Sequence, residues 1–396
     1  MIMMNYKALE EKFLRLFGGD AADIRVFCAP GRVNLIGEHI DYNGGRVLPA
    51  AIERENCILC RPNAEGKFRL AADDLDLFVV ADPAELEKYR GKAWESYPLG
   101  IAWALREAGY EICGLDMLYW GNVPFGGGLS SSASIEVATA LCMAVMGGCK
   151  EPDLVKLSLI SQRCENAFVG VNCGIMDQFA CAMGKKDACI RLDCATLAYD
   201  YAPLELGDYR IVIGNTNKKR SLADSKYNER RGECETALAD IQKADPSVKA
   251  LCELSPARFA ELSANITDET CRRRALHCVE ENDRVNRSVA ALGKGDLAEF
   301  GRLLNASHAS LKDLYEVTGA ELDALAETAQ TAEGCIGSRM TGAGFGGCTV
   351  SLVREDCVDA FIAFVGAKYT EKTGLVADFY VTGAADGARE ITAEVR

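Results

Sequence analysis

Apolar positions three to four apart from Tyr6 to Phe17 predict a short amphipathic helix with one buried face. Two runs of strand character follow, Ile24–Ala29 and Arg46–Cys60, with a strongly polar stretch between them. Trp94–Ala108 reads as a helix stopped at Gly109. The strand Leu115–Gly121 turns through Asn122–Gly128 into a helix that starts among Ser130, Ser131 and Ser132 and ends at Gly147-Gly148. A second helix is predicted over Asp153–Phe168, then short strands around Cys189–Asp193. Beyond residue 205 the pattern changes. A strand (Tyr209–Gly214) leads into helical stretches up to Thr328, and a glycine cluster at 342–347 precedes a strand (Cys348–Val353). A helix near Cys357–Thr373 and a last strand near Asp378–Thr382 complete the chain. Helix and strand mix in both halves, which predicts an α+β protein of two domains, 1–204 and 205–396. The 396 residues exceed what one ordinary core holds.

The polar stretch is the densest chemistry in the chain. Arg32, Asn34, Glu38, His39 and Asp41 fall within ten residues of Ala29–Gly45, punctuated by glycines. A core strand is expected to leave many of these groups unpaired, which is costly. A solvated turn accounts for Asp41–Gly45 alone. Convergent polar groups of this kind mark a ligand site, here one suited to a polyol.

Charge and composition narrow the partners. A net charge of −14 argues against nucleic acid and anionic membranes, which need basic surface. No run approaches the roughly 20 apolar residues of a membrane helix, and the N-terminus lacks a signal-peptide core, so a cytoplasmic protein is expected. The 18 cysteines are scattered. Only Cys57-Ile58-Leu59-Cys60 has a CxxC spacing; without a second pair or nearby histidine it reads as a strand with two inert thiols. Neither disulfides nor a structural metal are expected.

Gly126, Gly127, Gly128, Leu129, Ser130, Ser131 and Ser132 join a predicted strand to a predicted helix. Backbone N–H groups and the helix dipole at such a junction can cradle phosphates, and glycines let the backbone approach closely. The serine hydroxyls can cap the helix or ligate Mg²⁺. A plain helix cap needs one serine, not three. The loop is no Walker A sequence, and the H-R-D and D-F-G of protein kinases are missing. Its pattern, Pro-x-Gly-x-Gly-Leu-Ser-Ser-Ser-Ala, resembles the second motif of the GHMP kinases, the family of galacto-, homoserine, mevalonate and phosphomevalonate kinases. Gly342–Gly347 fits GxGxxG, but a strand follows where a dinucleotide site needs a helix. The run Gly337–Gly347 instead resembles the third GHMP motif, which lies beside the phosphate loop; it is read as support, with no catalytic side chain. Ala29–Gly45 is similar to the N-terminal motif of the galactokinases, and the resemblance spans essentially the whole chain.

The resemblance implies a two-domain GHMP kinase fold. Its N-terminal domain carries a left-handed βαβ crossover, against the usual handedness, its C-terminal domain is ferredoxin-like, and the site lies in the cleft between. It implies phosphorylation of the anomeric hydroxyl of D-galactose, with ATP and Mg²⁺ as cofactors; a monomer is expected. Ser132 and Glu165, the latter expected on a helix, would hold Mg²⁺. Asp177 would face the anomeric hydroxyl, while Glu38, His39, Asp41, Gly174 and Tyr227 would line the sugar. Trp94 would pack on adenine, a core position being the alternative. Without a Walker lysine, Arg32 is the remaining cation for phosphate, and its guanidinium near Asp177 would keep that carboxylate ionised as general base. Two alternatives stay open: another sugar-1-kinase, such as one for N-acetylgalactosamine, or a galactose- and ATP-binding regulator without turnover. Regulators of that kind have lost part of the serine loop, which is complete here.

Overall fold

The computed structural model describes residues 4–91, 93–124, 127–218 and 223–396, with the backbone alone at 223–225. Its first sheet has six strands, in the order Arg389–Glu390, Arg25–Asn34, Pro49–Pro62, Leu115–Gly121, Phe68–Ala72 and Phe78–Ala81. Neighbours are antiparallel except for the parallel pair Phe68–Ala72 and Leu115–Gly121. Alternation along the strands divides the core. Phe27, Ala29, Ile58 and Cys60 pack under the helices Ser96–Glu107, Ser131–Met146 and Leu154–Cys164. Val26, Cys28, Cys57 and Leu59 face the N-terminal helix Tyr6–Phe17 through Leu9, Phe13 and Phe17.

That second face corrects one expectation. Cys28 and Cys57 sit directly opposite each other in the antiparallel register, with Cα atoms 4.1 Å apart, and form a disulfide. The register brings together two thiols that lie 29 residues apart in sequence, where their spacing carries no signal. The first strand also continues past Ala29 to Asn34, so Arg32 is a buried strand residue. Burial there is tolerable because its guanidinium is paired.

The second half forms a four-stranded antiparallel sheet in the order Cys335–Thr341, Cys348–Arg354, Tyr209–Asn215, Asp378–Thr382. Along the chain this is strand, helices, two strands, helix, strand, the ferredoxin-like arrangement. A small third sheet joins Arg46–Val47, Ala188–Asp193 and Tyr199–Pro203. One large core runs through both halves: Val33, Leu35, Ile36 and Ile40 of the polar motif pack with Val285, Leu311, Tyr315 and Met340. The chain's end crosses back, with Arg389–Glu390 on the first strand and the Ile391 N–H donating to the Val26 carbonyl. No described helix is long and apolar enough to cross a membrane.

Candidate active site

Arg32 and Asp177 form the centre. The Arg32 Nε donates to Asp177 Oδ1 at 2.8 Å and its Nη2 to Oδ2 at 2.9 Å, a two-pronged pair that also fixes the plane of the carboxylate. The remaining guanidinium nitrogen, Nη1, donates to the Gly128 carbonyl at 2.6 Å, tying the pair to the phosphate loop. Burial by itself would lower the Arg32 pKa; Asp177 and then Glu38 more than offset it, so the group stays above its ordinary value. Asp177 lies in the first turn of the short helix Met176–Met183 and keeps 31% of its side chain open.

The serine loop is built differently from a capped helix. Ser130 stands at the N-cap with φ 59° and makes no side-chain cap; its hydroxyl donates instead to Asp177 Oδ2 at 2.6 Å. Of the roles open to the serines, capping is not the one Ser130 takes: its backbone is left-handed and its hydroxyl is on Asp177. The first N–H groups of Ser131–Met146 are left without a side-chain cap, and the buried Ser131 hydroxyl has no partner among the described residues. Leu129 contributes backbone only, since its side chain is core and its carbonyl accepts from the Arg32 N–H. A Cβ on Gly31 would lie 2.7 Å from that carbonyl, so only glycine fits there. Gly126 lies outside the described residues, as do 219–222 of the segment before Tyr227.

Ser132 Oγ is 3.4 Å from Glu165 Oε1. Glu165 lies on a helix as expected: Leu154–Cys164 passes directly into the π-helical turn Glu165–Val169, and Glu165 stands at the junction. Burial, then the charge of Asp177, pushes Glu165 up to about 7. Burial and then Glu165 also raise the adjoining Glu136 well above the carboxylate range. Gln178 Nε2 reaches both, at 2.5 Å from Glu165 and 3.2 Å from Glu136. Glu165 and Glu136, adjoining carboxylates with no cation paired to them among the described residues, and the Ser132 hydroxyl are hard oxygen donors short of positive charge. They fit a Mg²⁺ ion.

In the polar motif, Asp41 is desolvated, and burial, followed by Asp177, raises it to about 7. No side-chain hydrogen bond engages its carboxylate among the described residues. Gly174 makes room for it: a Cβ there would fall 1.7 Å from Asp41 Oδ2. Glu38, by contrast, is already held. Its Oε1 accepts from Thr341 Oγ1 at 3.0 Å and the Gly342 N–H at 2.7 Å, with Arg339 Nη2 at 3.3 Å, and Oε2 accepts from Asn34. His39 has both ring nitrogens engaged, by Tyr42 and by the Ala343 carbonyl, so its ring is wall rather than hydroxyl partner here. Tyr227 packs on His39 and Tyr42, with ring centroids 5.5 and 5.3 Å away. Trp94 is half-buried, edge-on to Tyr119 at 4.9 Å, on the border of the N-terminal core.

Sequence reasoning missed Ser130 as a partner of Asp177, Gln178 and Glu136 behind Glu165, and the clamp on Glu38. The clamp had a signal. Arg339, Thr341 and Gly342 belong to the third motif, and Arg339 Nη1 also donates to the carbonyls of Asn34 and Leu35 at 2.9 Å. A Cβ on Gly342 would approach the Gly128 carbonyl to 3.0 Å, so this motif does lie against the phosphate loop.

Residues 96–185 match the GHMP kinases N terminal domain and 288–371 the GHMP kinases C terminal; 11–62 match the galactokinase galactose-binding signature. A mevalonate kinase of Methanococcus jannaschii, 18% identical, shares the fold at a TM-score of 0.67 over 91% of this chain and 98% of its own. Fold and site together define a two-domain small-molecule kinase of the GHMP class. Galactokinases of Clostridium tetani (47% identical over 98% of each chain) and Clostridium acetobutylicum (48%, over 97% of this chain and 98% of the relative) are similar throughout. The structure of Lactococcus lactis galactokinase complexed with galactose is 46% identical, with a TM-score of 0.94 over 98% of this chain and 100% of that one. The chain belongs to the galactokinase family.

Proposed function

We propose that this protein transfers the γ-phosphoryl group of ATP to the anomeric hydroxyl of D-galactose. One observation carries the reading: a carboxylate held by Arg32 and Ser130, still partly open, stands near Asp41, whose carboxylate no described side chain binds, and beside an uncapped helix N-terminus. Asp177 takes the proton of the C1 hydroxyl as its oxygen attacks the γ-phosphorus. The new P–O bond forms as the bond to the bridging β–γ oxygen breaks, and ADP leaves. Arg32 orients Asp177 and offsets phosphate charge, while the first N–H groups of Ser131–Met146 receive phosphate oxygens. Ser132 and Glu165 would hold Mg²⁺, which when bound neutralises charge on the phosphates. Trp94 packs on adenine, Tyr227 and His39 wall the sugar, and Asp41 accepts from its C3 or C4 hydroxyl, with Glu38 behind.

The domain division falls near residue 204, with the C-terminal strand crossing back. The use of ATP places the reaction in the cytoplasm, where the Cys28–Cys57 bond, fully buried beneath the N-terminal helix, is shielded from cellular thiols. A coupled ADP-release assay tests the function: galactose should drive release, and a panel of other sugars decides against a different sugar-1-kinase. ATP and galactose binding without release would make the protein a regulator.

Two expectations follow from the carboxylates. Glu165→Gln and Ser132→Ala should raise the Mg²⁺ concentration for half-maximal rate by about tenfold or more, since even partners behind a metal ligand cost that much. Galactose affinity measured calorimetrically should be unchanged. A collapse of galactose affinity with unaltered Mg²⁺ dependence would remove both residues from the metal site. The second expectation concerns pH. Sugar hydroxyls donate to ionised Asp41, so binding favours its deprotonated form, while the free group titrates near 7. Galactose affinity without nucleotide should therefore be flat above pH 7 and weaken below it, approaching about tenfold per pH unit. Asp41→Asn should abolish that slope; a slope that persists belongs to another group.

A further inference from the structure

Behind the sugar motif runs a chain of hydrogen bonds that the transfer step does not use. His39 Nε2 lies 3.2 Å from the Ala343 carbonyl, which can only accept, so the ring proton sits on Nε2. Nδ1 must then accept from the Tyr42 hydroxyl at 2.7 Å. The Tyr42 oxygen is left to accept from the Tyr315 hydroxyl, 2.9 Å away, and the Tyr315 oxygen from the Cys234 thiol at 3.1 Å. One carbonyl fixes the direction of every link.

We propose that Tyr42 and Tyr315 are positioning residues for galactose: their hydroxyls pin the turn His39–Asn43 so that Asp41 is held where the sugar hydroxyls arrive. The proposal rests on the reading of Asp41 as a sugar acceptor. His39 sits at φ 62°, a left-handed conformation that a residue with a side chain keeps only when its surroundings impose it. Two side-chain ties do so. Asn43 Nδ2 donates to the His39 carbonyl at 2.9 Å, and Tyr42 holds the His39 ring. The Ile40 carbonyl closes the turn by accepting from the N–H groups of Asn43 and Gly45. Asp41 stands inside this turn with its carboxylate on the Tyr42 N–H and no other residue's side chain holding it, and the charge of Asp177 repels it. A looser turn would let it swing away, and the sugar would then have to restore the geometry out of its own binding energy.

The relay also joins the two halves. Tyr315 ends the π-turn Leu311–Tyr315, Cys234 lies on the helix Ala223–Ala244, and Ala343 belongs to the third motif. C-terminal groups, the Ala343 carbonyl and the Tyr315 hydroxyl, thus brace the two ends of the His39–Tyr42 tie in the N-terminal loop.

Calorimetric galactose affinity, kcat, KM for both substrates and Tm should be measured for Tyr42→Phe, Tyr315→Phe, the double variant and Asp41→Ala. Tyr42→Phe should weaken galactose binding about tenfold, the scale of one well-made hydrogen bond. Its kcat and ATP KM should hold, because neither hydroxyl reaches the phosphates. Tyr315→Phe should act in the same direction and less, and the double variant should be no worse than Tyr42→Phe, since both break one chain. Intact galactose affinity in Tyr42→Phe, with affinity lost in Asp41→Ala, overturns the relay and spares the sugar reading. Intact affinity in both overturns the two together. Parallel losses of kcat, both KM values and Tm would mean a merely structural role and also overturn the proposal. If Tyr42→Phe does not fold, Tyr315→Phe, which removes the donor to the Tyr42 oxygen, tests the relay: galactose affinity should fall by less than tenfold, and intact affinity overturns the proposal.

Discussion

Asp177→Asn is expected to lower kcat by roughly 10²- to 10⁴-fold, the range over which a positioned general base contributes, while galactose binding remains measurable by calorimetry. The amide keeps the shape of the side chain but offers one acceptor oxygen where Arg32 now engages two. Its NH₂ group would face either the guanidinium or the Ser130 hydroxyl, both of which donate to the present carboxylate. The variant therefore loses the proton acceptor and loosens Arg32 and Ser130 at once. Single-turnover measurement with saturating ATP and galactose isolates the chemical step. Retention of most of kcat would remove Asp177 from the base role and favour attack by the neutral hydroxyl.

Asp41→Ala should lose activity on galactose far more than on glucose. In the free protein its carboxylate is desolvated and, among the described residues, bound by no other side chain, and Gly174 backs it closely enough to exclude any side chain. A sugar whose C4 hydroxyl points elsewhere leaves that acceptor unpaired, which costs about 1–3 kcal/mol and more for a charge. Since about 1.4 kcal/mol is a factor of ten, the parent protein should favour galactose over glucose by well over tenfold in kcat/KM. The variant should shrink that ratio. Both sugars must be measured on both proteins. An unchanged ratio would move epimer selection to Tyr227 or Glu38; His39 is a weaker candidate than its place in the motif suggests, because both ring nitrogens are taken.

Much of this site was legible in the chain because the chemistry is locally concentrated. Glycines followed by serines between a strand and a helix are readable as an anion cradle, since the N–H groups and dipole come with the local geometry. The helix Tyr6–Phe17 and the strands Leu115–Gly121 and Asp378–Thr382 appear with the predicted bounds, as period and punctuation set them. A strand after Gly342–Gly347 was likewise readable, and it removed the dinucleotide alternative. Where the sequence is silent is in the choice of partners. Ser130 meets Asp177 across 47 residues, Arg32 meets Asp177 across 145, and Thr341 meets Glu38 across 303. Cys28 and Cys57 are joined only because two strands align in one register. Periodicity records which face of an element is buried, but not what lies opposite it. The tertiary structure alone decided that Ser130 pairs with Asp177 rather than capping the helix, that Glu165 stands on a π-turn, and that Asp41, unlike Glu38 and His39, has no other side chain on it among the described residues. Each of these depends on where distant backbone passes, and a polar group's role is set by whichever neighbour has already satisfied it.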